Sequence, residues 1–456
     1  MGQVSIISTL QGKKAPVHAD SHECITMYVC GVTPYDRAHI GHGRCYVVFD
    51  LLYRLLRSLG YQVTYCRNVT DIDDKLLHRA EKELGSSYEY PVIAKRFTQL
   101  FHDDMQKLGC HTPTYEPRVT DHIPEIIAAV QGLIDRGHAY TVNGSVYFRI
   151  HSYPTYGELS GQQLRNMYAG ARVEVNEDKE DPLDFALWKS ELEGTFWKSP
   201  WGWGRPGWHI ECSALALRYL GATIDIHGGG MDLIFPHHEN ERAQSESLTG
   251  NCFVKTWVHN AFVRVQQEKM SKSLGNFVTL AQAFERWHPM VLRYYFLIHH
   301  YRSPLDFSWD DIAAASKSYV KLITLLHDAL VQEQCSIAAI AWDLLSEQEA
   351  TLIHSCISFL CDDLNVQGMM GILFEQSQMI RTMPIARSVI AGLVRDVLGL
   401  DLKPLAEVTV EITPEIRHIM TEREHARSQR DWARADQLRA RLERMGVIVK
   451  DEKLHQ

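Results

Sequence analysis

At 456 residues the chain exceeds one ordinary hydrophobic core, so roughly two to four domains are expected. A hydrophobic fraction of 45%, a charged fraction of 23% and a net charge of −9 describe a globular protein. They exclude a disordered chain and a surface coated uniformly with nucleic acid, and no apolar run reaches membrane-spanning length. Residues 1–17 also lack the apolar centre of a signal peptide, so a cytoplasmic address is expected. In that compartment the ten cysteines are thiols or metal ligands rather than a disulfide framework.

In chain order, "CITMYVCG" (24–31) is a short apolar run ending in glycine, as a buried parallel strand would be. In "CYVVFDLLYRLLRSLG" (45–60) Val48, Leu51, Leu52, Leu55 and Leu59 make a helical stripe stopped by Gly60. "QVTYCRNVTD" (62–71) reads as the next strand, completing a βαβ unit that opens a doubly wound, Rossmann-like α/β domain. "HIPEIIAAVQGLIDRG" (122–137) is an amphipathic helix, and "AYTVNGSVYF" (139–148) is a hairpin turned by Asn143-Gly144. These predict an α+β insertion over 111–195, after which "TIDIHGGG" (223–230) returns to the parallel sheet. From Ala313 to about Leu400 the apolar spacing is helical, which predicts a bundle, and "LKPLAEVTVEITPE" (402–415) reads as a linker.

Two short motifs suit phosphate. "HIGH" (39–42), followed by Gly43, falls between the first strand and the first helix, where backbone N–H groups and the helix dipole favour an anion. Gly41 and Gly43 are expected to let a ligand approach the backbone, and His39 and His42 can donate hydrogen bonds to phosphate. The dinucleotide fingerprint fits poorly, because Tyr46 stands where its third glycine should be. "KMSKS" (269–273) places Lys269 and Lys272 on a Ser- and Gly-containing segment, where two ammonium groups could neutralise a pyrophosphate leaving group.

Together the motifs resemble the signature of class I aminoacyl-tRNA synthetases. The chain resembles the cysteinyl-tRNA synthetase family over nearly its full length, through "YVCGVTPYD" (28–36), "NVTDIDDK" (68–75), "GRPGWHIECSA" (204–214), "HGGGMDLIFPHHENE" (227–241) and "KMSKSLGN" (269–276). The resemblance implies a two-step reaction: L-cysteine and ATP with magnesium give cysteinyl-adenylate, and the cysteinyl group passes to the terminal ribose of tRNA(Cys). It also implies that His39 and His42 contact ATP and the transition state, while Lys272 and Lys269 stabilise the transferring phosphate. Thr70 and Trp208 match positions that bind the amino acid end of cysteine and line its pocket. The family expectation is a monomer. The implied division is 1–110 and 196–260 for the two catalytic halves around the 111–195 insertion, 261–312 for the KMSKS-bearing region, 313–403 for the bundle and 404–456 for an anticodon-binding domain.

In "FPHHENERAQ" (235–244), His237 and Glu241 share a face if the stretch turns helical after Pro236. Two donors do not make a metal site, and with no CxxC pair Cys66, Cys110 and Cys252 are as eligible as Cys30 and Cys212. The resemblance selects Cys30, Cys212, His237 and Glu241, a donor set that suits zinc. Zinc bound there would prefer the sulfur of cysteine to the hydroxyl of serine. His238 and Glu239 are expected to be structural, with His238 pointing off the His237–Glu241 face.

The tail carries Arg423, Arg427, Arg430, Arg434 and Arg441 at helical spacings, and Trp432, Ala435, Leu438, Leu442 and Met445 read as the apolar face of its second helix, before the strand-like "VIVK" (447–450). "ARSQRDWARADQLR" (426–439) resembles the family's anticodon-binding domain, which implies RNA contacts for Arg427, Trp432 and Asp436. A ligase that joins activated cysteine to a small amine resembles the same catalytic core but lacks such a tail. A catalytically silent paralogue would not be expected to keep both motifs and all four donors.

Overall fold

The computed structural model describes every residue except 1–2, 18–23, 164–178, 266–267, 270–276, 330–335, 406–412, 430 and 445–456. The chain opens on a hairpin, β1 (Ser5–Ser8) and β2 (Lys13–Pro16), whose four-residue strands are too short to register as periodicity. β3 (Cys24–Val32) and β4 (Gln62–Val69) pair in parallel around the helix Ile40–Ser58, giving the expected βαβ unit. Strand β3 passes so close to β4 that a Cβ at Gly31 would sit 1.5 Å from the carbonyl oxygen of Asn68, so only glycine fits there.

The insertion contains an antiparallel sheet of β5 (Ala139–Val142), β6 (Ser145–Phe148), β7 (Phe185–Ser190), β8 (Trp197–Ser199) and β9 (Gly202–Pro206), ordered β5-β6-β7-β9-β8. Asn143 and Gly144 both take positive φ, as the turn between β5 and β6 requires. The inserted sheet runs to Pro206, past the expected end at residue 195, because the glycine- and tryptophan-rich stretch 197–206 pairs back onto β7.

β10 (Ile224–Gly230) and β11 (Val254–Asn260) then complete a parallel sheet in the order β11-β10-β3-β4. The chain leaves β3 toward β4 on one side and β10 toward β11 on the other. The neighbouring carboxyl ends of β3 and β10 are therefore the switch point where open α/β sheets bind ligands.

Helices Trp309–Leu326, Glu347–Cys361, Val366–Glu375 and Pro384–Gly392 form the expected bundle and share one hydrophobic core with helix Ile40–Ser58. Buried Asp50 accepts from Arg54 Nε of the same helix at 2.7 Å and from Arg293 Nη2 at 2.5 Å. These arginines reach the end of the bundle, Arg54 Nη1 donating to Asp396 O at 3.1 Å and Arg293 Nε to Leu398 O at 2.7 Å. In the tail, helices Pro414–Ser428 and Trp432–Arg444 join through Ile416, Ile419 and Ala426 against Ala435, Leu438 and Leu442. Two features there differ from the sequence expectation. Trp432 is 59% exposed rather than part of that seam, and Arg423 is buried rather than part of a basic stripe. Trp432 lies at the margin of its helix's apolar face, whereas Arg423 stands between Ile419 and Ala426 on the seam itself, a place its spacing allowed and its charge disguised. Arg430, Met445 and "VIVK" fall outside the described residues.

Candidate active site and metal centre

A cavity of about 420 Å³ opens at the carboxyl ends of β3 and β10. Cys30, Gly31, Trp208 and Gly230 line one end, and His39, Gly41, His42 and Phe262 line another.

At the His39 end, the helix begins at Ile40, inside "HIGH" rather than after it, with His39 as its N-cap. The two histidines cap the turn reciprocally: His42 N–H donates to His39 Nδ1 and His39 N–H to His42 Nδ1, both at 3.3 Å. Their rings stack with centroids 3.7 Å apart. Because each Nδ1 accepts, each proton sits on Nε2, which makes both rings neutral donors at the cavity wall. Burial lowers His42 to about 4, so it stays uncharged at neutral pH. Gly41 lines the cavity as expected, but Gly43 does not. A Cβ there would lie 2.7 Å from Leu280 Cδ2 and 3.1 Å from Phe296 Cε2, so Gly43 serves helix packing, not ligand approach.

At the Cys30 end, Cys30, Cys212, His237 and Glu241 converge, all buried. Cys30 lies two residues before the end of β3, Cys212 lies in helix Trp208–Leu220, and His237 and Glu241 span the start of helix Glu239–Thr249. The sulfurs are 3.9 Å apart, Cys30 Sγ is 3.3 Å from Glu241 Oε1, and Cys212 Sγ is 3.6 Å from His237 Nε2. Tetrahedral zinc with ordinary bond lengths would set sulfur–sulfur edges of about 3.8 Å and sulfur–nitrogen edges of about 3.5 Å. The donor set therefore fits zinc. Its one short edge, His237 Nε2 to Glu241 Oε1 at 2.9 Å, is a hydrogen bond here.

The electrostatics divide the donors: Cys212 and Glu241 are held toward their anionic forms, whereas burial raises the Cys30 thiol, so a metal would displace protons from Cys30 and His237. The hydrogen bond from Cys30 and the contact with His237 lower Cys212 to about 6, despite burial. Burial opposes charge on His237, yet Glu241 and Cys212 raise it to about 10. Burial would push Glu241 up, but His227 and His237 hold it well below the usual carboxylate range. His237 Nδ1–H points at His209 Nδ1, 2.8 Å away, which leaves Nε2 as the metal-facing nitrogen.

His238 does not point away. Its Nε2 lies 3.2 Å from Cys30 Sγ, its Nδ1 is 2.7 Å from His259 Nε2, and His259 Nδ1 is 2.7 Å from Thr9 Oγ1. The expectation assumed a regular α-helix after Pro236. Instead Ile234–His238 forms a wider π turn with Phe235 out of helical geometry, so both histidines face inward. His227 joins them, with Nε2 2.8 Å from Glu241 Oε2. Cys30, His227, His238 and Glu241 thus make a second possible donor set sharing two members with the first. Two observations favour the first: it holds two sulfurs at zinc spacing, and Trp208, which lines the cavity, packs on His237 at a 33° tilt with centroids 4.1 Å apart. The sequence signals for His227 and His259 were their places on β10 and β11, where His259 stands in register with Gly229.

Among the other expected residues, Trp208 is 37% exposed. Thr70 is buried beside the cavity rather than lining it, and its hydroxyl donates to Glu211 Oε2 at 3.0 Å while accepting from Asn68 Nδ2 at 3.0 Å. Lys269 pairs through its backbone with Arg264, and Lys272 lies outside the described residues. Arg427 and Asp436 lie on the two tail helices with Trp432.

Residues 16–317 match the family model described as tRNA synthetases class I (C) catalytic domain, and residues 409–456 match the cysteinyl-tRNA ligase anticodon binding domain. The cysteine–tRNA ligase of Trichlorobacter lovleyi is 44% identical, with 95% of each chain aligned. That settles the family. The chain belongs to the cysteine–tRNA ligases of class I. The ligase of Geobacillus thermodenitrificans is 43% identical over 99% of this chain and 98% of its own. Mycobacterium tuberculosis methionyl-tRNA synthetase in complex with methionyl-adenylate shares the fold, with a TM-score of 0.57 at 15% identity over 83% of this chain and 92% of that one. Among the described residues no helix is long and apolar enough to cross a membrane.

Proposed function

We propose that the cavity activates L-cysteine with ATP and magnesium and then transfers the cysteinyl group to the terminal ribose of tRNA(Cys). The observation that carries this reading is a single cavity at the switch point with a sulfur-rich metal cluster at one end and a histidine-capped helix start at the other. Cys30, Cys212, His237 and Glu241 would hold zinc, which when bound supplies a thiophilic Lewis acid that favours cysteine over serine. Trp208 closes the side of the cysteine pocket, and Thr70, through Glu211, fixes the wall beside the substrate's amino acid end.

At the other end, the Nε2–H groups of His39 and His42 donate to phosphate oxygens, and the helix dipole adds to their effect. As neutral donors they stabilise charge that grows during transfer without a change of protonation. Lys269 and Lys272 stabilise the departing pyrophosphate. In the tail, exposed Trp432 stacks on an unpaired anticodon base, flanked by Arg427 and Asp436. The domain division is 1–110 and 207–260 for catalysis, 111–206 for the insertion with its whole sheet, 261–312 for the KMSKS-bearing region, 313–403 for the bundle and 404–456 for anticodon binding. The enzyme works as a cytoplasmic monomer.

The test is cysteine-dependent pyrophosphate exchange with and without tRNA, followed by a charging assay. Exchange with cysteine, little exchange with serine, and charging of tRNA(Cys) are expected. Exchange without charging, together with transfer of cysteine to a small amine, would replace tRNA as the acceptor.

A further inference from the structure

Arg44 follows the "HIGH" turn by two residues, is 0% exposed, and among the described residues has no carboxylate hydrogen-bond partner. Nη1 donates to the carbonyl oxygens of Ala261 at 3.0 Å and Phe262 at 3.2 Å, and Nη2 to those of His300 at 2.9 Å and Ser303 at 2.6 Å. Burial lowers the guanidinium only to about 10, so it remains charged at neutral pH. A buried cation served solely by backbone is costly, and lysine could not reproduce the planar fork that reaches four carbonyls from two chain segments.

Those segments matter for the cavity. Asn260, Ala261, Phe262 and Val263 line it together with His39 and His42. They form the exit from β11 into the short strand Val263–Val265, which pairs in parallel with Leu305–Phe307. Ala261 N–H also donates to Tyr301 O at 2.8 Å, and Leu305 N–H to Phe262 O at 3.0 Å. Arg44 thus sits beneath the junction of the two segments and joins it to the histidine-bearing turn. On the opposite side, Ile40 N–H donates to Val278 O at 3.1 Å and Leu280 N–H to Ala38 O at 2.9 Å. The turn that presents His39 and His42 is therefore fixed to both chain segments beside it, one through a side chain and one through backbone.

We propose that Arg44 is a positioning residue for the nucleotide end of the cavity: it holds the Ala261–Val263 wall in register with His39 and His42, and has no part in the cysteine or metal end. The proposal rests on the reading that the His39–His42 end receives ATP. A displacement of about 1 Å in such a wall can cost about 100-fold in rate.

The test is Arg44→Lys, which keeps the charge and loses the fork, measured beside His42→Ala in pyrophosphate exchange, with zinc content and thermal unfolding for each variant. For Arg44→Lys, kcat/KM for ATP is expected to fall about 100-fold, with KM for cysteine within about twofold of the parent and zinc content unchanged. Parental kinetics toward ATP would overturn the proposal. Equal losses of ATP use, cysteine use and zinc would also overturn it, since they mark an ordinary core residue. If His42→Ala leaves ATP kinetics intact, the nucleotide reading of this end fails and the proposal falls with it. If His42→Ala impairs ATP use and Arg44→Lys does not, the proposal alone fails.

Discussion

Replacing His237 or His238 by alanine separates the two donor sets that share Cys30 and Glu241. Losing a residue that only hydrogen-bonds a metal ligand costs about 10–100-fold in metal affinity. His238 stands in that position toward Cys30, with Nε2 3.2 Å from the sulfur. Alanine there should weaken zinc by an amount within that range and leave about one metal per chain at micromolar zinc. His237 stands at donor spacing from Cys212, at 3.6 Å, and hydrogen-bonds Glu241 at 2.9 Å. Its removal leaves three donors and takes from Glu241 one of its two histidine partners, so the loss should exceed about 100-fold, or about 2.8 kcal/mol. Competition against a chromogenic chelator gives both affinities, and elemental analysis gives the stoichiometry. Cysteine activation should fall with His237→Ala in proportion to metal lost. The reverse order, with His238→Ala losing the metal and His237→Ala keeping it, would move the ion to Cys30, His227, His238 and Glu241 and refute the assignment.

Lys272→Ala should lower the rate of adenylate formation by more than about 100-fold while changing KM for cysteine little, because the contact is made mainly in the transition state; equal exchange kinetics would remove Lys272 from the mechanism. Trp432→Ala should weaken tRNA use by about 1–3 kcal/mol, the worth of one stacked base, and spare tRNA-independent exchange; charging kinetics decide it. Asp104 has a buried carboxylate oxygen without a partner, and burial raises it to about 6. The unfolded carboxyl ionises near about 3.9, so the folded chain loses stability as pH rises from there to about 6. Asp104→Asn should therefore gain at most about 3 kcal/mol above that pH and nothing below about 4, as denaturant melts at both pH values would show.

The parallel sheet was legible because buried strands such as Cys24–Val32 read as apolar runs and the helix Ile40–Ser58 carries a clear stripe. The two phosphate motifs were read from residue types at their positions, whereas Cys30, Cys212, His237 and Glu241 were singled out by the family resemblance, since spacing left Cys66, Cys110 and Cys252 as eligible. What escaped were features set by tertiary contact. The π turn at Ile234–His238 brings His238 to Cys30, and no spacing rule anticipates an extra residue in a turn. Gly43 looked like a phosphate glycine until Leu280 and Phe296, more than two hundred residues away in sequence, filled the space beside it. Trp432 counted as apolar by type, while the partner helix covers only Ala435, Leu438 and Leu442. The reach of the inserted sheet to Pro206 depended on pairing between β7 and β9, which local composition does not encode.

Cys30 and Glu241 meet across 211 residues of sequence, with the whole inserted sheet between them. At a synthesis rate of about 5–20 residues per second, roughly 10–40 s separate their emergence from the ribosome. Throughout that interval β3 and β4 can pair while Cys30 remains a lone thiol at the sheet's edge. The donor set closes only when β10 has docked beside β3 and helix Glu239–Thr249 has folded over it. Metal loading by these four residues would then be a late event in the life of the chain, and it would distinguish a finished catalytic domain from one halted within its insertion.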